Sequence, residues 1–391
     1  MVNFHLMKIL TVDIGTGTQD ILLYDSRLVL ENCFKLVVPS PTMIVYRQIQ
    51  AAAQRGRPVL LYGVTMGGGP STWAVEAHLR LGLAVYATPQ AARSFNDDLD
   101  KVAEMGIQLV SEDEAIQLPQ EVQRLRLVDL DFRAIHKAFE AFGVSLKDLD
   151  ALAVAVFDHG EAPPDFSDRQ FRFDYLTWRI RAENRLSAFA YRAEAVPLEM
   201  TRLQAVVASA AEVAAPLLVM DSAPAAVLGA IYDPQVAAVQ RKLIANLGNF
   251  HTLAFRLGPG GIEGVFEHHT GLVDLPKLER LLRGLADGTL QHPEVFQDHG
   301  HGALVIDPAL LDTSQQAFDV AVTGPRRGLF RIPPAPGGLR PYLAVPYGDM
   351  MLTGCIGLLA AMADKMPELA GPIQASLSGR APGSPPWELS S

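Results

Sequence analysis

Two copies of one short pattern constrain this sequence more than any other feature. One copy is "VDIGTGTQDILLYD" at residues 12–25, and the other is "ANLGNFHTLAFRL" at residues 245–257. Each has an apolar strand, an Asp or Asn, an apolar residue, a Gly, a polar turn with Thr, and a second apolar strand. Since more than two hundred residues separate the copies, the repetition predicts two related halves that face each other.

The remaining sequence alternates between apolar strand patterns and helical patterns, which is typical of α/β proteins. The chain is long enough for two domains, and 49% of its 391 residues are hydrophobic, which is enough for a large core. We therefore predict an α/β fold with two lobes built from duplicated mixed-sheet domains.

Charge and cysteine usage exclude several classes of protein. The net charge of -10 argues against nucleic-acid binding, because phosphates require a positive surface. The most apolar window is interrupted by Glu212 and Pro216 and is too short to span a bilayer, so no membrane partner is expected. The N-terminus lacks the pattern of a secretory signal, and the two cysteines are too few for a disulfide scaffold. These features predict a cytoplasmic protein, and nothing in the sequence excludes a homodimer.

The doubled pattern resembles the two phosphate loops of the superfamily that contains actin, heat-shock ATPases and sugar kinases. Three further segments are similar to the connecting-helix and adenosine signatures of that superfamily, and all five occur in the expected order. The five segments are "DIGTGT" (13–18), "MDSAPAAVLGA" (220–230), "NLGNFHT" (246–252), "VTGPRRG" (322–328) and "GDMMLTGCIGLLAA" (348–361).

This resemblance implies an actin-like ATPase fold with ribonuclease H-like lobes, and ATP with Mg²⁺ in the cleft between them. The first lobe is expected to span residues 1–235 and to include the first phosphate loop and connecting helix. The second lobe, with the other loop and the adenosine signature, is expected at residues 236–375. Residues 376–391 are rich in Pro, Ser and Gly, which predicts a disordered tail.

Within that superfamily the chain resembles one family labelled pyruvate formate-lyase activating enzyme. The segments that carry this resemblance are "VDIGTGTQDILLYD", "TMGGGP", "VYATPQAA", "GNFHTLAF", "EHHTG", "GHG" and "PYGDMMLTG". A radical activating enzyme of that kind needs three closely spaced cysteines for its iron–sulfur cluster. Cys33 and Cys355 lie more than three hundred residues apart, so we do not expect that activity here.

The first loop is a candidate phosphate and magnesium site. Glycines allow the backbone to approach an anion, and successive N–H groups in such a loop can point at phosphate oxygens. Asp13 follows a buried strand and is expected to hold Mg²⁺ through water, because this ion dehydrates reluctantly. The alternative is an ordinary tight hairpin. The predicted cofactor-binding residues of this loop are Asp13, Gly15, Thr16, Gly17 and Thr18.

The second loop departs from the superfamily pattern. Asn246 stands where an aspartate is common, and bulkier residues replace two glycines, which puts catalysis in doubt but not the fold. In the adenosine-like signature, Gly324 is expected to turn the backbone under adenine, while Arg326 and Arg327 either meet ribose or phosphate or are solvated. The predicted contacts here are Gly248, Asn249, His251, Thr252 and Gly324.

A second substrate site is predicted from another glycine loop and from polar residues at strand ends. The three predicted substrate residues Gly67, Gly68 and Gly69 lie between a strand and a helix, whose N-terminus favours an anion. The alternative for this loop is a close crossing of backbones. Asp158 ends a buried strand and is the predicted catalytic base. Asp221 begins a connecting helix and is predicted to hold metal through water or to act in catalysis.

Histidines cluster with carboxylates in three short segments, "FDHGE", "FEHHTG" and "QDHGHG". Histidine and carboxylate together suit zinc, iron or manganese. The alternative is that these residues form hydrogen bonds within a polar cleft. Alternation on an extended segment would place His299 and His301 on one face, as a transition-metal pair. The further predicted substrate residues are His159, Glu267, His268 and His269.

Three functions are compatible with these patterns. The first is ATP hydrolysis or phosphoryl transfer to a small molecule. The second is metal-dependent hydrolysis of the kind found in the related hydantoinases and oxoprolinases, in which the histidine clusters would form the active centre. The third is a non-enzymatic switch whose lobes close on ATP and change affinity for a partner.

Overall fold

The structure is a computed structural model that describes residues 7–331, 337–381, 383–385 and 387. The described residues form the strands β1 (Lys8–Ile14), β2 (Thr18–Asp25), β3 (Phe34–Pro39), β4 (Val59–Gly63), β5 (Val85–Ala87), β6 (Gln108–Leu109), β7 (Gln123–Leu127), β8 (Ala151–Val156), β9 (Ala190–Arg192), β10 (Leu217–Asp221), β11 (Lys242–Leu247), β12 (His251–Gly258), β13 (Gly261–His269), β14 (Gly302–Val305), β15 (Val320–Thr323) and β16 (Pro341–Leu343). Their α-helices are α1 (Pro41–Gln54), α2 (Pro70–Arg80), α3 (Pro89–Ala92), α4 (Leu99–Glu104), α5 (Glu112–Gln117), α6 (Phe132–Glu140), α7 (Asp168–Ala182), α8 (Thr201–Ser209), α9 (Ser222–Ala230), α10 (Pro234–Ala237), α11 (Leu275–Asp287), α12 (His292–Gln297), α13 (Thr353–Lys365) and α14 (Pro367–Leu377).

The first sheet has the strand order β3-β2-β1-β8-β10-β9. Strands β1, β2 and β3 form an antiparallel meander, whereas β8 and β10 run parallel to β1. The central strand β8, "ALAVAV", is buried at every position because helices and chain cover both faces of the parallel part of the sheet. Short strand β9 closes the edge by antiparallel pairing with β10.

The second sheet repeats this arrangement. Its order is β14-β13-β12-β11-β15-β16, in which β11, β12 and β13 form an antiparallel meander and β15 runs parallel to β11 and to β16. Strands β11, β12, β13, β15 and β16 thus correspond to β1, β2, β3, β8 and β10. Two copies of one mixed-sheet topology confirm the predicted duplicated, actin-like fold.

A third sheet, β6-β5-β4-β7, was not expected from the sequence. All of its pairings are parallel, and it is inserted between β3 and β8 of the first sheet. Helices α1 to α5 belong to this insertion, with apolar faces that pack on the sheet through residues such as Val45, Ile49 and Val75. The alternation of strands and helices in the sequence is compatible with one large sheet as well as with two sheets. The separate sheet therefore could not be predicted from it.

Helices α9 and α13 follow the last major strands of their lobes and cross each other at two glycines. A Cβ on Gly229 would lie 1.8 Å from the carbonyl oxygen of Thr353, and a Cβ on Gly357 would lie 1.8 Å from that of Ala225. Neither position can hold a side chain unless a backbone moves. The helices therefore touch backbone to backbone where the two lobes join.

The predicted lobe boundary between residues 235 and 236 falls within helix α10, shortly before β11, and stays a prediction. The tail predicted from residue 376 begins too early, because Ser376 and Leu377 are buried in helix α14 and Ser376 bonds Tyr24. Residues 382, 386 and 388–391 of that tail lie outside the described residues. Within the described ranges, no helix has the length and apolar character needed to cross a membrane.

Candidate functional site

The two glycine loops have the same turn geometry. In the first, the N–H of Gly15 donates to the carbonyl of Thr18 at 2.9 Å, and in the second the N–H of Gly248 donates to the carbonyl of His251 at 2.9 Å. A Cβ would approach those carbonyl oxygens to 3.2 Å at Gly15 and 2.7 Å at Gly248. A side chain at either position would crowd the turn, which explains why glycine recurs in both copies.

The two loops face each other across a cavity of about 130 Å³. They approach so closely that a Cβ on Gly17 would lie 3.1 Å from Nδ2 of Asn249. The structure thus brings the predicted contacts of both loops together, with the exception of Thr252. The cavity is lined by Asp13, Gly15, Thr16, Gly17, Thr18, Asp20, Gly248, Asn249, His251, Gly324 and Pro325, among others.

Two aspartates from adjacent strands enter this cavity. Asp13 and Asp20 are cross-strand partners in the β1–β2 pairing, so their side chains lie on the same face of the sheet. Burial raises the pKa of Asp13 to about 6, and burial together with the charge of Asp13 raises the pKa of Asp20 to about 8. One buried carboxylate oxygen of Asp20 has no hydrogen-bond partner among the described residues. A cation between the two carboxylates would favour their charged forms, and it would give the unpartnered oxygen of Asp20 a partner.

Asp20 was not predicted as a site residue, although the signal for it was present. A hairpin whose turn is closed between Gly15 and Thr18 places residues 13 and 20 opposite each other. Asp13 itself is held from two sides, because Ser222 donates a 2.7 Å hydrogen bond to it and helix α13 packs against it. A Cβ on Gly354 would lie 1.9 Å from Oδ2 of Asp13, so glycine is required at this helix start.

The three glycines of the loop before helix α2 line a neighbouring cavity of about 230 Å³, where a substrate site was predicted. They also pack tightly against other parts of the chain. A Cβ on Gly67 would lie 2.6 Å from a guanidinium nitrogen of Arg202, and a Cβ on Gly68 would lie 2.5 Å from the carbonyl oxygen of Ser94. A close crossing of backbones thus accounts for glycine at position 68, whereas Gly67 is crowded by the end of an arginine side chain.

The carbonyl of Gly68 is already engaged within the protein. It accepts hydrogen bonds from the hydroxyl of Thr42 at 2.6 Å and from that of Ser71 at 2.9 Å. These two hydrogen bonds attach the loop to the first turns of helices α1 and α2. The contact of Gly68 with a substrate stays a prediction, and its observed role is to fix the loop on helices α1 and α2.

Phe250, from the second phosphate-like loop, lines both this cavity and the phosphate cavity. Its ring meets Trp73 edge-on, with ring centroids 5.6 Å apart, and a Cβ on Gly69 would lie 2.7 Å from it. The absence of a side chain at Gly69 therefore lets Phe250 of the second lobe pack against this loop. The predicted attraction of a ligand by the N-terminus of helix α2 is a separate point.

Asp158 and Asp221, the predicted catalytic carboxylates, are both buried and engaged. The oxygens of Asp158 accept hydrogen bonds from the N–H groups of Gly160 and Leu203, at 2.9 and 2.8 Å. Asp221 caps helix α9 and forms an ion pair with Arg172. Burial raises the pKa of both carboxyls. Their roles as base and metal ligand stay predictions that these contacts do not support, since each carboxylate positions backbone or an arginine.

Four histidine rings gather beside the two cavities. His159 follows β8, His251 begins β12, His269 ends β13 and His301 immediately precedes β14. The separations between ring centroids range from 4.7 Å, for His269 and His301, to 5.6 Å, for His159 and His301. Burial lowers the pKa of His159 well below its usual value, that of His269 to about 4 and that of His301 to about 3. These three imidazoles are therefore neutral at pH 7, with a lone pair available on each ring.

Glu267 and Arg172 form the buried base of this histidine cluster. Oε2 of Glu267 accepts from Nε of Arg172 at 3.2 Å, while Oε1 lies 3.2 Å from Nδ1 of His251 and 3.8 Å from Nε2 of His301. Burial alone would raise the pKa of Glu267, but Arg172 and the histidines lower it well below its usual value. Glu267 is therefore a carboxylate within a polar network that is buried except for the partly exposed ring of His251.

The structure corrects three of the predicted site residues. Thr252 is buried and pairs with the hydroxyl of Thr270 at 2.9 Å, away from the phosphate cavity. His268 points to the face of β13 opposite His269, as expected for neighbours on a strand, and lies 3.5 Å from Asp298. His299 has a φ of 63° and is exposed, whereas His301 is fully buried. Because the chain turns at His299, the segment is not extended and the two rings do not share a face.

The adenosine-like signature forms a turn at the edge of the phosphate cavity. Gly324 has a φ of 93°, which favours glycine, and a Cβ there would lie 2.5 Å from the carbonyl oxygen of Leu247. The side chain of Arg327 donates to the carbonyl of Ala344 at 2.9 Å, and Arg326 is exposed. The glycine therefore shapes the cavity wall, while Arg327 supports a neighbouring loop and Arg326 faces solvent.

Two lobes with the same strand order, joined by crossing helices and facing each other across a glycine-lined cleft, define a protein of the actin-like ATPase fold. The chain belongs to the family described as "Putative pyruvate format-lyase activating enzyme", whose model matches residues 66–329, more than half of the chain. No curated protein matches the sequence.

Similar solved structures include an exopolyphosphatase-like protein, which is 10% identical over 81% of this chain and 66% of its own, with a TM-score of 0.26. A ROK hexokinase from Thermus thermophilus is 12% identical over 66% of this chain and 47% of its own, with a TM-score of 0.23. A propionate kinase from Francisella tularensis is 9% identical over 74% of this chain and 63% of its own, with a TM-score of 0.27. At such scores the fold assignment rests on the strand order alone, and the chain spans less than two thirds of the length of each of these structures.

The activity in the family description does not fit the cysteines of this chain. Both are buried, Cys33 near the carbonyl of Asp25 and Cys355 near the carbonyl of Asp20. They are the only cysteines in the sequence, and a radical activating enzyme needs three for its cluster.

Proposed function

We propose that this protein binds ATP with Mg²⁺ between its two glycine loops and transfers the terminal phosphoryl group to water or to a small molecule. The observation that carries this proposal is the convergence of Gly15–Thr18 and Gly248–His251 on one cavity that also holds two carboxylates. Backbone N–H groups in such turns favour phosphate oxygens, and Mg²⁺ favours carboxylate and water ligands.

The residues present fit a magnesium ion. Asp13 and Asp20 would hold it, directly or through water. The oxygen of Asp20 that has no hydrogen-bond partner among the described residues would then bind the ion or one of its waters. When bound, the ion supplies neutralisation of charge on the phosphates. The cavity beside Gly67–Gly69 adjoins the phosphate cavity and is the proposed place for the phosphoryl acceptor, with His159 and His251 on its wall.

A cavity of about 130 Å³ accommodates phosphate groups but not a whole nucleotide, because ligand pockets of that kind usually measure about 300–1,000 Å³. The proposal therefore requires the lobes to separate on binding. Opening would occur between the loops, where Asn249 approaches Gly17, and around the crossing of helices α9 and α13.

We expect Asp13→Asn to weaken binding of MgATP by about 10- to 100-fold, the loss typical when groups that orient a bound metal are removed. Calorimetric titration with ATP and Mg²⁺ measures the affinity, and release of inorganic phosphate measures turnover. Asp287→Asn, at an exposed aspartate of helix α11, is the matched control and should behave like the unaltered protein.

Three outcomes of this experiment separate the alternatives. Binding with turnover, both reduced by Asp13→Asn, supports the enzyme. Tight binding without phosphate release contradicts transfer to water, and it leaves the nucleotide-dependent switch and transfer to an acceptor that the assay lacks. Absence of binding by the unaltered protein, with or without Mg²⁺, contradicts both.

A further inference from the structure

We propose that His159, His251 and His301 bind one divalent transition-metal ion, with Glu267 as a further ligand. One ring nitrogen from each histidine can be chosen so that the three atoms all lie within 4.8 Å of one another. Oε1 of Glu267 lies 3.2 Å from the His251 ring and 3.8 Å from the His301 ring, so it borders the same point. This site is distinct from the carboxylates of the phosphate cavity, and it does not depend on nucleotide binding.

The hydrogen bonding of the cluster points independently to an absent ligand. Both ring nitrogens of His301 are buried atoms without a hydrogen-bond partner in the part of the chain that the structure describes. Nδ1 of His251 and Oε1 of Glu267 lie 3.2 Å apart but lack hydrogen-bond geometry, and neither has another partner among those residues. His301 and Glu267 are fully buried. Buried polar atoms nearly always have partners, and a cation bound by one nitrogen of each ring and by the carboxylate would satisfy this group.

The donor set indicates which class of ion fits. Three imidazole nitrogens and one carboxylate oxygen, without a thiolate, suit zinc, iron(II) or manganese. Ligand bonds of about 2.0–2.1 Å place the nitrogens of a tetrahedral zinc site about 3.3 Å apart. The three histidine nitrogens now lie within 4.8 Å of one another, so each side chain would have to move by about 1 Å to reach this geometry.

The surroundings hold these ligands in place. The ring of Phe157 stacks on His251 with centroids 4.0 Å apart, and the guanidinium of Arg172 lies 4.5 Å above Phe157. Arg172 also binds Oε2 of Glu267, which leaves Oε1 directed at the histidines. Groups that orient metal ligands in this way are a general feature of metal sites.

The ion would also have access to substrate. His159 lines both the cavity beside Gly67–Gly69 and an open cavity of about 1040 Å³, and His269 lines the second of these. His159, His251, His301 and Glu267 together fill a tetrahedral site, so water or a substrate oxygen would bind the ion as a fifth ligand or in place of Glu267. The proposed ion lies between the phosphate cavity and the open cleft, where such a molecule could reach it.

Titration with Co²⁺ alone tests this site, on the full chain after treatment with EDTA and without nucleotide. We expect visible d–d absorption that saturates at one Co²⁺ per chain. His301→Asn should weaken binding by at least about 10- to 100-fold, the loss already typical when a group that only orients a ligand is removed. His299→Asn is the matched control: it lies in the same segment and is exposed, and Asn tolerates its positive φ, so binding should not change.

Further variants keep the test decisive. Asp287→Asn, at an exposed residue without a proposed role, should leave the Co²⁺ spectrum unchanged. Because the titration contains no nucleotide, a failure of the nucleotide proposal and a failure of this one are distinguishable. If His301→Asn does not fold, as judged by circular dichroism, His159→Asn replaces it, because that ring is partly exposed to the cavities. The proposal is overturned by a featureless titration of the unaltered protein, or by ligand variants that fold and bind Co²⁺ like the control.

Discussion

Replacing Arg172 with Met is expected to destabilise the folded protein by about 3–5 kcal/mol, the range for removal of one partner from a buried ion pair. The Arg172 side chain is 1% exposed and is bound by Asp221 and Glu267, whose side chains are 5% and 0% exposed. Without the guanidinium, two carboxylates remain buried with no cation, and the carbonyl of Asp158 loses its donor. Denaturation by urea, in the presence of EDTA, measures the change in the free energy of unfolding.

The matched control is Arg133→Met, which breaks an exposed, two-pronged pair with Glu212. It should change stability little, because exposed ion pairs are screened by water and contribute little. A triple variant with Arg172→Met, Asp221→Asn and Glu267→Gln should recover part of the loss, since it removes the uncompensated charges. Equal effects of the single buried and exposed variants would contradict this account.

The second large effect is expected from Gly357→Ala. The new methyl group would lie 1.8 Å from the carbonyl oxygen of Ala225 and 3.0 Å from the backbone nitrogen of Gly229. Both neighbours are helix backbone, so neither can rotate away as a side chain would. Overpacking typically costs about 1–3 kcal/mol, and a backbone clash of this kind should reach or exceed the upper end. Thermal and urea unfolding measure the loss.

Gly371→Ala is the matched control, because Gly371 is an exposed helical glycine of α14, where an added methyl group would meet no atom within 4 Å apart from its chain neighbours and its own helix backbone. There the substitution should change stability little, because the higher helix propensity of alanine is opposed by contact with the ring of Pro372, which follows it in the helix. Equal losses in both variants would show that the crossing of α9 and α13 does not determine the outcome.

The sequence predicted the parts of the fold that depend on neighbouring residues. The turns at Gly15 and Gly248 are each closed by a hydrogen bond within four residues. A short segment of each copy therefore suffices to predict a strand, a glycine turn and a second strand. Their repetition predicted the duplicated mixed sheets, and the order of the five signatures predicted the superfamily. The inserted sheet β6-β5-β4-β7 could not be predicted in this way. The alternation of strands and helices does not determine which strands pair, and hence which sheet a strand joins.

The candidate site was predictable only where the hairpins form it. Asp13 was predicted from its position at a strand end, and Asp20 could have been added by counting back across the turn. The histidine cluster is different, because His159, His251 and His301 come from two lobes and meet only when the sheets are assembled. The sequence feature that came closest to predicting it was the His-Gly-His segment, which predicted that His299 and His301 share one face. That prediction was wrong, because the chain turns at residue 299 and only His301 enters the cluster.

The ring of Phe250 has a consequence for the thermodynamics of the cleft. It forms a shared wall of the phosphate cavity and of the cavity beside Gly67–Gly69, and it rests against Trp73 of the inserted unit. A ligand that shifts this ring in one cavity changes the shape of the other. Such a coupling is reciprocal for binding free energies. Under the proposed function, the factor by which nucleotide alters the affinity for an acceptor must equal the factor by which the acceptor alters the affinity for nucleotide.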